Sequence, residues 1–320
     1  MRRISLVLAI CLVMSSALPG ADLRVSFQDN PTEGEMRMIV DGQDALVYQY
    51  GDDQDLVHFY PVRSPHGQSM TVQKTEPYPH HRSFWFGDKV KLNGGRAVGF
   101  YDALYSGNGR AIDAKPPYEN HVRHLAFGEK SVERDRGVLK ARLIWEMDGD
   151  KPVFDEERTM RVIALGDGEW FLDVTYTLTA AYGDVEFVSD AVHYAWPYVR
   201  MNTTFSVEGG GTITNSEGGV NQAGTNGKTA RWVDYSNTVG GKPSGLAILA
   251  HPSEGPESPQ WLTRDYGCFG PRRTDEKSGK PFTVAKGQSI SQRVGILVHR
   301  GDVKTGQVAE RFADYLAGNL

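Results

Sequence analysis

Apolar and polar residues alternate with a period of two through most of the chain. The alternation is clearest in residues 159–180, where a turn at 166–168 separates two apolar-rich runs. In the second run every other residue from Leu172 to Leu178 is apolar, and the residues between them are Asp173 and threonines. Because a strand places successive side chains on opposite faces, this pattern predicts an antiparallel hairpin with one buried face.

Several further runs predict strands of the same kind. An Asp-Gly pair at 41–42 separates two apolar-rich runs within residues 37–50, which is a strong signal for a β-hairpin. Residues 245–251 are apolar on both faces, so we expect this strand to lie deep in a sandwich. Residues 137–147 and 290–299 are also predicted to be strands.

Helical spacing is convincing only near the C-terminus. Val308, Phe312 and Leu316 recur every four residues along one stripe, and Asp302 can cap the start of the helix. We see no linker rich in proline or serine and no internal repeat. We therefore predict that residues 22–320 form one all-β domain, a large twisted antiparallel β-sandwich with a C-terminal helix.

The first 21 residues have the pattern of a secretory signal peptide. Arg2 and Arg3 supply a positive start, and the apolar run at 4–14 is too short to span a bilayer. Cys11 lies within that run, and no cysteine follows a lipobox of small residues. We expect a soluble exported protein, periplasmic or extracellular, with no membrane span in the rest of the chain.

Composition narrows the classes of partner. After the predicted signal peptide the chain keeps one cysteine, Cys268, so it forms no internal disulfide and its stability must come from a large core. The net charge is −5 with both signs interspersed, and we therefore expect no nucleic-acid partner. The 6 Trp and 14 Tyr suit a surface that stacks on sugars, although core packing uses the same residues.

The segment PYPHHRSFWFG, residues 77–87, concentrates candidate chemistry at the start of a predicted strand. In a regular strand His80 and Arg82 point to one face and His81 to the other, so both imidazoles share a site only if Pro79 makes the backbone irregular. The arginine offers a fixed set of donors to a carboxylate or hydroxyl-rich ligand, and imidazole titrates near neutral pH. The alternative is a structural role at the strand start.

A second set of candidates lies in residues 231–270. A carboxylate, a phenol, an imidazole and a guanidinium near strand ends can transfer protons and hold a sugar. Alternatively, Arg264 and Asp265 form a surface ion pair and the tyrosines fill walls of the fold. The candidates are Asp234, Tyr235, His251, Trp261, Arg264, Asp265 and Tyr266.

Two other segments contribute fewer candidates. Residues 155–162 place two glutamates beside an arginine at the start of a strand; one could be a general acid or base, but we expect solvated turn charges. Residues 189–202 contain His193, Trp196 and Arg200, which could line the same cleft.

Metal and cofactor motifs are absent from the sequence. There is no HExxH or HxExH pattern, and one remaining cysteine excludes thiolate zinc sites. The sequence also lacks a GxSxG elbow, a Walker loop and a Rossmann fingerprint. We predict no cofactor, although His80 or His81 could hold a divalent metal together with a distant histidine and a carboxylate.

Five short motifs follow one another along the chain: PHHRSFWFG at 79–87, WVDYS at 232–236, GLAILAHPS at 245–253, WLTRDYGCFGP at 261–271 and VHRGD at 298–302. In this order they resemble a secreted bacterial family labelled methane oxygenase PmoA, or left as a domain of unknown function. The resemblance implies a sandwich like that of sugar mutarotases and a link to carbohydrate-active proteins. Methane oxidation is rejected, because the methane monooxygenase subunit of that name is a membrane protein of many helices and this chain has no spanning segment.

These observations lead to an exported enzyme that acts on a glycoside or sugar by acid–base chemistry, as a hydrolase, lyase or epimerase. The competing hypothesis is a non-catalytic carbohydrate-binding protein of the cell envelope. Both hypotheses require the candidates to converge in one pocket. The catalytic candidates are His80, His81, Asp234, His251 and Asp265, and the substrate-binding candidates are Arg82, Trp85, His193, Tyr235, Trp261, Arg264 and Tyr266.

Overall fold

The computed structural model describes residues 23–105, 114–188, 195–252, 258–272 and 280–320. Within these ranges the chain forms three β-sheets whose strands pair antiparallel, together with a helix near the C-terminus. This confirms the predicted all-β class. The predicted signal peptide lies outside the described residues. None of the helices in the described part is both long enough and apolar enough to cross a membrane.

The described strands are numbered along the chain. They are β1 (Val25–Asn30), β2 (Glu35–Val40), β3 (Gln43–Gln49), β4 (His58–Val62), β5 (Phe84–Trp85), β6 (Lys89–Leu92), β7 (Ala97–Gly99), β8 (His121–Val132), β9 (Arg136–Met147), β10 (Lys151–Gly166), β11 (Glu169–Thr179), β12 (Val185–Phe187), β13 (Tyr198–Arg200), β14 (Thr212–Asn215), β15 (Trp232–Val239), β16 (Lys242–Ala250), β17 (Trp261–Thr263), β18 (Cys268–Pro271), β19 (Phe282–Val284) and β20 (Ser289–Arg300). The α-helices are α1 (Asn221–Thr225) and α2 (Val308–Leu316).

Two large sheets form the body of the fold. The first has the order β1-β2-β3-β4-β5-β13-β18-β17, and the second has the order β14-β15-β16-β20-β11-β10-β9-β8. A smaller sheet, β19-β12-β6-β7, completes the described part. Strands that are far apart in sequence are neighbours in the first sheet, so β5, β13 and β18 bring three distant segments side by side.

The hairpin predicted from residues 159–180 is present as β10 and β11. These strands pair antiparallel, and their register shifts once near the turn, after Ala164. Leu172, Tyr176 and Leu178 on one face of β11 are all buried in the core between the sheets. The apolar residues alternate along β11 because one face of the strand is buried in the core.

The second sheet is covered on both faces. Val233 and Tyr235 of β15 belong to the large core toward the first sheet, while Trp232 belongs to a separate apolar cluster. That second cluster includes Phe312 and Tyr315 of α2. Because successive residues of a strand face opposite ways, Asp234 lies on the α2 side of the sheet.

The C-terminal helix differs in detail from the prediction. Val308 and Phe312 are buried as expected, but Tyr315 fills the next position and Leu316 is 44% exposed. Asp302 does not cap the helix; its carboxylate accepts hydrogen bonds from backbone N–H groups within the preceding turn. The prediction treated the helix as starting directly after Asp302, whereas the chain first makes a turn.

The charges at residues 155–162 are also placed differently from the prediction. Glu156 and Arg158 are almost fully buried in the core and form an ion pair, and only Glu157 is exposed, as a solvated charge would be. The Arg158 guanidinium lies near the ring of Tyr176, with 4.8 Å to the centroid. Because side chains alternate between the two faces of β10, Glu156 and Arg158 point inward together while Glu157 points outward.

Candidate functional site

The backbone at the two adjacent histidines forms a turn and not a strand. The N–H of His81 donates to the carbonyl of Tyr78 at 2.9 Å, and β5 begins only at Phe84. The imidazole rings of His80 and His81 therefore meet, with centroids 4.6 Å apart in an edge-on arrangement. The irregular backbone that a shared site requires is present.

His81 is held among aromatic rings. It stacks on Tyr78 with 5.0 Å between centroids and lies 5.3 Å from the ring of Trp85. Burial first, and then repulsion from His80 when it is protonated and from Arg200, lower the pKa of His81 to about 2. His81 is therefore a neutral imidazole at physiological pH, and its buried Nδ1 has no hydrogen-bond partner among the described residues.

His80 lies at the more open side of the pair. It is half-buried, and its Nδ1 forms a hydrogen bond of 2.5 Å with the hydroxyl of Tyr105. The ring of Tyr101 lies 6.0 Å from the ring of His80. An imidazole that is bonded to a phenol at one nitrogen and has a second ring nitrogen is suited to moving a proton.

Arg200 approaches the same group from β13. Its side chain is almost fully buried, and its Cζ lies 4.3 Å from the centroid of the Tyr266 ring. Nη1 donates to the carbonyl of Tyr266 at 2.7 Å, while Nε is buried without a partner in the described residues. The ring of Tyr266 lies 5.2 Å from that of Tyr78, which joins Arg200 to the two histidines.

We call this group the His80–Arg200 cluster. It combines two imidazoles, one guanidinium and four partly exposed phenols from segments far apart in sequence. It consists of Tyr78, His80, His81, Tyr101, Tyr105, Arg200 and Tyr266.

The cluster lies on the face of the first sheet that points away from the second sheet. Val199 pairs with Phe269, whose ring lies 4.4 Å from Tyr235 of the second sheet, so Val199 faces the interior. Its neighbours in β13, Tyr198 and Arg200, consequently face outward.

A tight turn between β17 and β18 positions Tyr266. The N–H of Gly267 donates to the carbonyl of Arg264 at 2.8 Å, and the φ of Gly267 is +106°, which favours glycine. The carboxylate of Asp265 accepts from the N–H of Gln222 in α1 at 2.8 Å. Arg264 donates to the Asn226 side chain at 2.6 Å. Arg264 and Asp265 thus hold the turn rather than pair with each other.

Arg82 lies apart from the cluster. It forms an ion pair with Asp55, and both side chains are fully buried. Arg82 also helps to keep His58 neutral, because burial first and then this positive charge lower the pKa of His58 to about 3. Arg82 follows the turn of the histidines by one residue and points to the interior, so the expectation that it reaches a ligand needs correction.

Three predicted aromatic ligand contacts are core residues. Trp261 is fully buried, and its indole N–H donates to the carbonyl of Ala230 at 2.8 Å. Trp85 is 1% exposed and stacks between His81 and Tyr198, so it supports the cluster from beneath. Tyr235 is also fully buried. None of the three presents a ring to a ligand.

Asp234 and His251 are not brought to the cluster. Asp234 accepts a hydrogen bond from Nε2 of His299 at 2.8 Å, and both side chains are fully buried on the α2 side of the second sheet. His251 lies on that same side, with its ring 5.1 Å from Tyr315. The expectation of a single pocket is therefore wrong for these two residues, because they face away from the first sheet.

Other expectations fall outside this geometry. His193 lies outside the described residues. Arg200 was expected only as one of the residues that could line the cleft, and the structure places it in the cluster. Tyr78, Tyr101 and Tyr105 were not predicted, because no local pattern in the sequence marks them. Within the described ranges, no group of three or more His, Cys, Asp or Glu side chains is arranged to hold a metal ion.

Comparison with known proteins identifies a family without an assigned function. The model of a family of unknown function, DUF6807, matches residues 35–313. A search of curated proteins finds no match.

Three solved structures are similar in fold to this chain. An α-galactosidase from Lactobacillus brevis is 6% identical over 88% of this chain and 40% of its own, with a TM-score of 0.44. A polysaccharide lyase is 12% identical over 89% of this chain and 34% of its own, with a TM-score of 0.33. A galactose 1-epimerase from Lactobacillus acidophilus NCFM is 7% identical over 88% of this chain and 100% of its own, with a TM-score of 0.36. The chain thus spans less than half the length of the first two proteins.

Proposed function

The chain belongs to the DUF6807 family of unknown function, and we propose that it is a carbohydrate-active enzyme that transfers protons at the His80–Arg200 cluster. One observation carries the proposal. A half-buried histidine is hydrogen-bonded to a phenol at 2.5 Å, directly beside a second imidazole that burial keeps neutral. A half-buried imidazole that is bonded to a phenol and supported by a neutral imidazole among aromatic rings is suited to acid–base work on a bound molecule.

The tyrosines of the cluster support a sugar as that molecule. The side chains of Tyr78, Tyr101, Tyr105 and Tyr266 are partly exposed around the histidines. A phenol combines a flat apolar face with a hydroxyl that can donate and accept. A sugar has the matching features, since its ring carries apolar C–H faces and a rim of hydroxyls. Such a group of phenols therefore suits a sugar better than a purely apolar ligand.

The two histidines have different proposed roles. His80 is the proton carrier, because a half-buried imidazole can exchange a proton with a sugar carbon or hydroxyl while Tyr105 fixes the ring orientation. His81 is a positioning residue, since a neutral imidazole wedged between Tyr78 and Trp85 holds the turn that carries His80. Hydrolysis, elimination and epimerisation of a sugar each need a proton carrier such as His80.

Turnover assays with matched variants test this proposal. The wild-type protein, His80→Gln, Tyr105→Phe and the control His66→Gln are incubated with a panel of oligosaccharides, and products are followed by mass spectrometry. We expect product from the wild type and the control, a loss of about 100-fold or more for His80→Gln, and a smaller loss for Tyr105→Phe. His66 is a suitable control because it is a partly exposed histidine outside the cluster.

Two results contradict the enzymatic proposal. Saturable binding of an oligosaccharide without product from any member of the panel favours the non-catalytic carbohydrate-binding protein. Full activity of His80→Gln removes the cluster from the mechanism.

We also propose that the protein is exported. The support is the pattern of the first 21 residues, with two arginines, an apolar run and small residues. Expression of the full chain in a bacterium, followed by fractionation and N-terminal sequencing, tests this. A mature chain that starts near residue 22 outside the cytoplasm is the expected result, and an intact N-terminus in the cytoplasm contradicts it.

A further inference from the structure

The positive charge of Arg200 is not neutralised by any side chain in the described part of the protein. The residue is 3% exposed, and its guanidinium donates a hydrogen bond to a backbone carbonyl, that of Tyr266. No carboxylate of the described residues lies within ion-pair distance of its guanidinium. Asp265, the acid next to Tyr266, is bound instead to the backbone of α1.

Two other arginines of the same chain serve as an internal comparison. Arg82 and Arg158 are as deeply buried as Arg200, and each forms an ion pair with a carboxylate, Asp55 and Glu156 respectively. Burying a charge without a partner is strongly unfavourable, so the fold normally supplies a counterion. Arg200 departs from this pattern, since its guanidinium forms no ion pair with a carboxylate in the described part of the chain, and it belongs to the His80–Arg200 cluster.

The donors of Arg200 point to the kind of group that it lacks. Nη1 is used by the Tyr266 carbonyl, and Nε is buried without a partner in the described residues. A guanidinium presents Nε and an Nη group along one edge, and this edge matches the two oxygens of a carboxylate. The ring of Tyr266 lies against the guanidinium face, 4.3 Å from Cζ, so the stacking does not use the donor at Nε.

The surroundings of Arg200 also favour an anion. Arg264 adds a second positive charge, and both guanidinium groups oppose the effect of burial, which raises the pKa of the Cys268 thiol to about 12. His81 beside Arg200 is neutral, so it neither adds to the positive charge nor balances it. One carboxylate is sufficient to balance one buried guanidinium.

We propose that Arg200 binds the carboxylate of an acidic sugar, so that the substrate contains a uronic acid unit. This inference rests on the proposed function, because it assigns a substrate class to the same cluster. The carboxylate lies against the Nε edge of Arg200, and the sugar ring lies among the tyrosines within reach of His80. An acidic glycan is thereby selected over its neutral counterpart.

Matched ligands give the first test, and they need no variant. Affinities of the wild-type protein are measured by calorimetry for a uronic-acid oligosaccharide, for the same oligosaccharide after reduction of its carboxyl groups, and for a sulfated neutral oligosaccharide. We expect binding of the uronic-acid ligand to be about 10- to 100-fold tighter than that of the reduced ligand. Equal affinity for these two ligands overturns the inference, and so does preference for the sulfated one.

Variants give the second test. Arg200→Gln is expected to lose about 10- to 100-fold in affinity for the uronic-acid ligand and less than about twofold for the reduced ligand. Arg63→Gln is the matched control, because Arg63 also donates to a backbone carbonyl and lies outside the cluster. An Arg200→Gln protein that folds and keeps full affinity for the acidic ligand contradicts the inference.

The two proposals fail in different ways. Tight binding of the uronic-acid ligand that depends on Arg200, without turnover, supports the assignment of Arg200 and contradicts the enzymatic function. Turnover of neutral oligosaccharides with no preference for acidic ones supports the enzymatic function and contradicts the assignment of Arg200.

Discussion

At the scale of single residues, the two adjacent imidazoles show how position decides chemistry. His81 is packed between aromatic rings and cannot take a proton near neutral pH. His80, one residue earlier, is half-buried and bonded to the Tyr105 hydroxyl. The same side chain is thus packed among aromatic rings at one position and only half-buried at the next.

The Asp234–His299 pair gives a prediction at this scale. Burial lowers the pKa of His299, but the charge and hydrogen bond of Asp234 outweigh this effect and raise it overall. Because breaking a buried charged pair is costly, Asp234→Asn is expected to lower the free energy of unfolding by about 3 kcal/mol at pH 6. Ligand affinity at the His80–Arg200 cluster should not change, since the pair lies on the opposite side of the second sheet.

Denaturant unfolding and calorimetry measure both quantities. Asp148→Asn is the control, because Asp148 belongs to an exposed ion pair with Arg96. This substitution should lower the free energy of unfolding by less than about 1 kcal/mol. A stable Asp234→Asn protein that binds ligand poorly contradicts the separation of the two sites.

The sequence predicts some site residues better than others, for a physical reason. The pair at His80 and His81 stands out because a proline precedes it and aromatic residues follow it. For Asp234 and Tyr235, period two shows only that they face opposite ways. Which of the two faces is covered by α2 depends on long-range packing, and the local sequence does not contain that information.

At the scale of elements, the turn between β17 and β18 determines where Tyr266 lies. A Cβ on Gly267 would come within 2.9 Å of the carbonyl oxygen of Met201, and the φ of +106° is itself unfavourable for other residues. Gly267→Ala is therefore expected to lower the free energy of unfolding by about 3 kcal/mol and to weaken ligand binding.

Gly287→Ala separates the cost of the positive φ from the cost of the contact with Met201. Gly287 also has a positive φ, +82°, but a Cβ there would meet nothing within 4 Å. The Gly287→Ala substitution should lower the free energy of unfolding by about 1 kcal/mol and leave ligand binding unchanged. Equal effects of the two substitutions on stability and binding would show that the contact with Met201 does not hold the turn.

The C-terminal helix gives a second prediction for an element. Phe312 is 5% exposed in the apolar cluster on the second sheet, whereas Leu316, one turn later, is 44% exposed. Phe312→Ala is expected to lower the free energy of unfolding by about 3–5 kcal/mol through lost burial and a cavity. Leu316→Ala on the same helix should change it by about 0.5 kcal/mol or less. Comparable losses in urea denaturation contradict this docking of α2.

The helix also shows the limit of periodicity. A spacing of four residues drifts around a helix of 3.6 residues per turn, so the third member of the predicted stripe leaves the buried face. Tyr315 takes its place and donates a hydrogen bond to the buried carboxylate of Asp173 at 3.0 Å. The presence of the helix follows from the sequence, but this polar anchor depends on β11.

At the scale of the whole molecule, sheet order creates the site. The all-β class follows from short local patterns, and these predict strands well. The His80–Arg200 cluster instead depends on β5 pairing with β13 and β13 pairing with β18. These pairings join residues more than 100 and more than 60 positions apart, as the residue numbers show. Local sequence patterns therefore predict the strands, but they do not predict which distant residues lie next to His80.

Buried histidines give a prediction for the stability of the whole molecule against pH. Burial lowers the pKa of His58 to about 3, of His81 to about 2 and of His124 to about 4. Between pH 6.5 and 4 the unfolded chain binds protons at these positions and the folded chain does not, so stability must fall as pH falls. Each group contributes at most about 1.4 kcal/mol per pH unit to the slope.

His299 acts in the opposite direction, because its pKa is raised in the folded protein. Its contribution is complete below pH about 6.5 and is lost as pH rises through its folded pKa. Urea denaturation from pH 4.5 to 8.5 should therefore show a steep acid limb and a shallow decline on the alkaline side, and His299→Gln should remove only the decline. Stability that is constant from pH 6.5 down to 4.5 contradicts the neutral burial of the three histidines, and with it the assignment of proton transfer to His80 rather than His81.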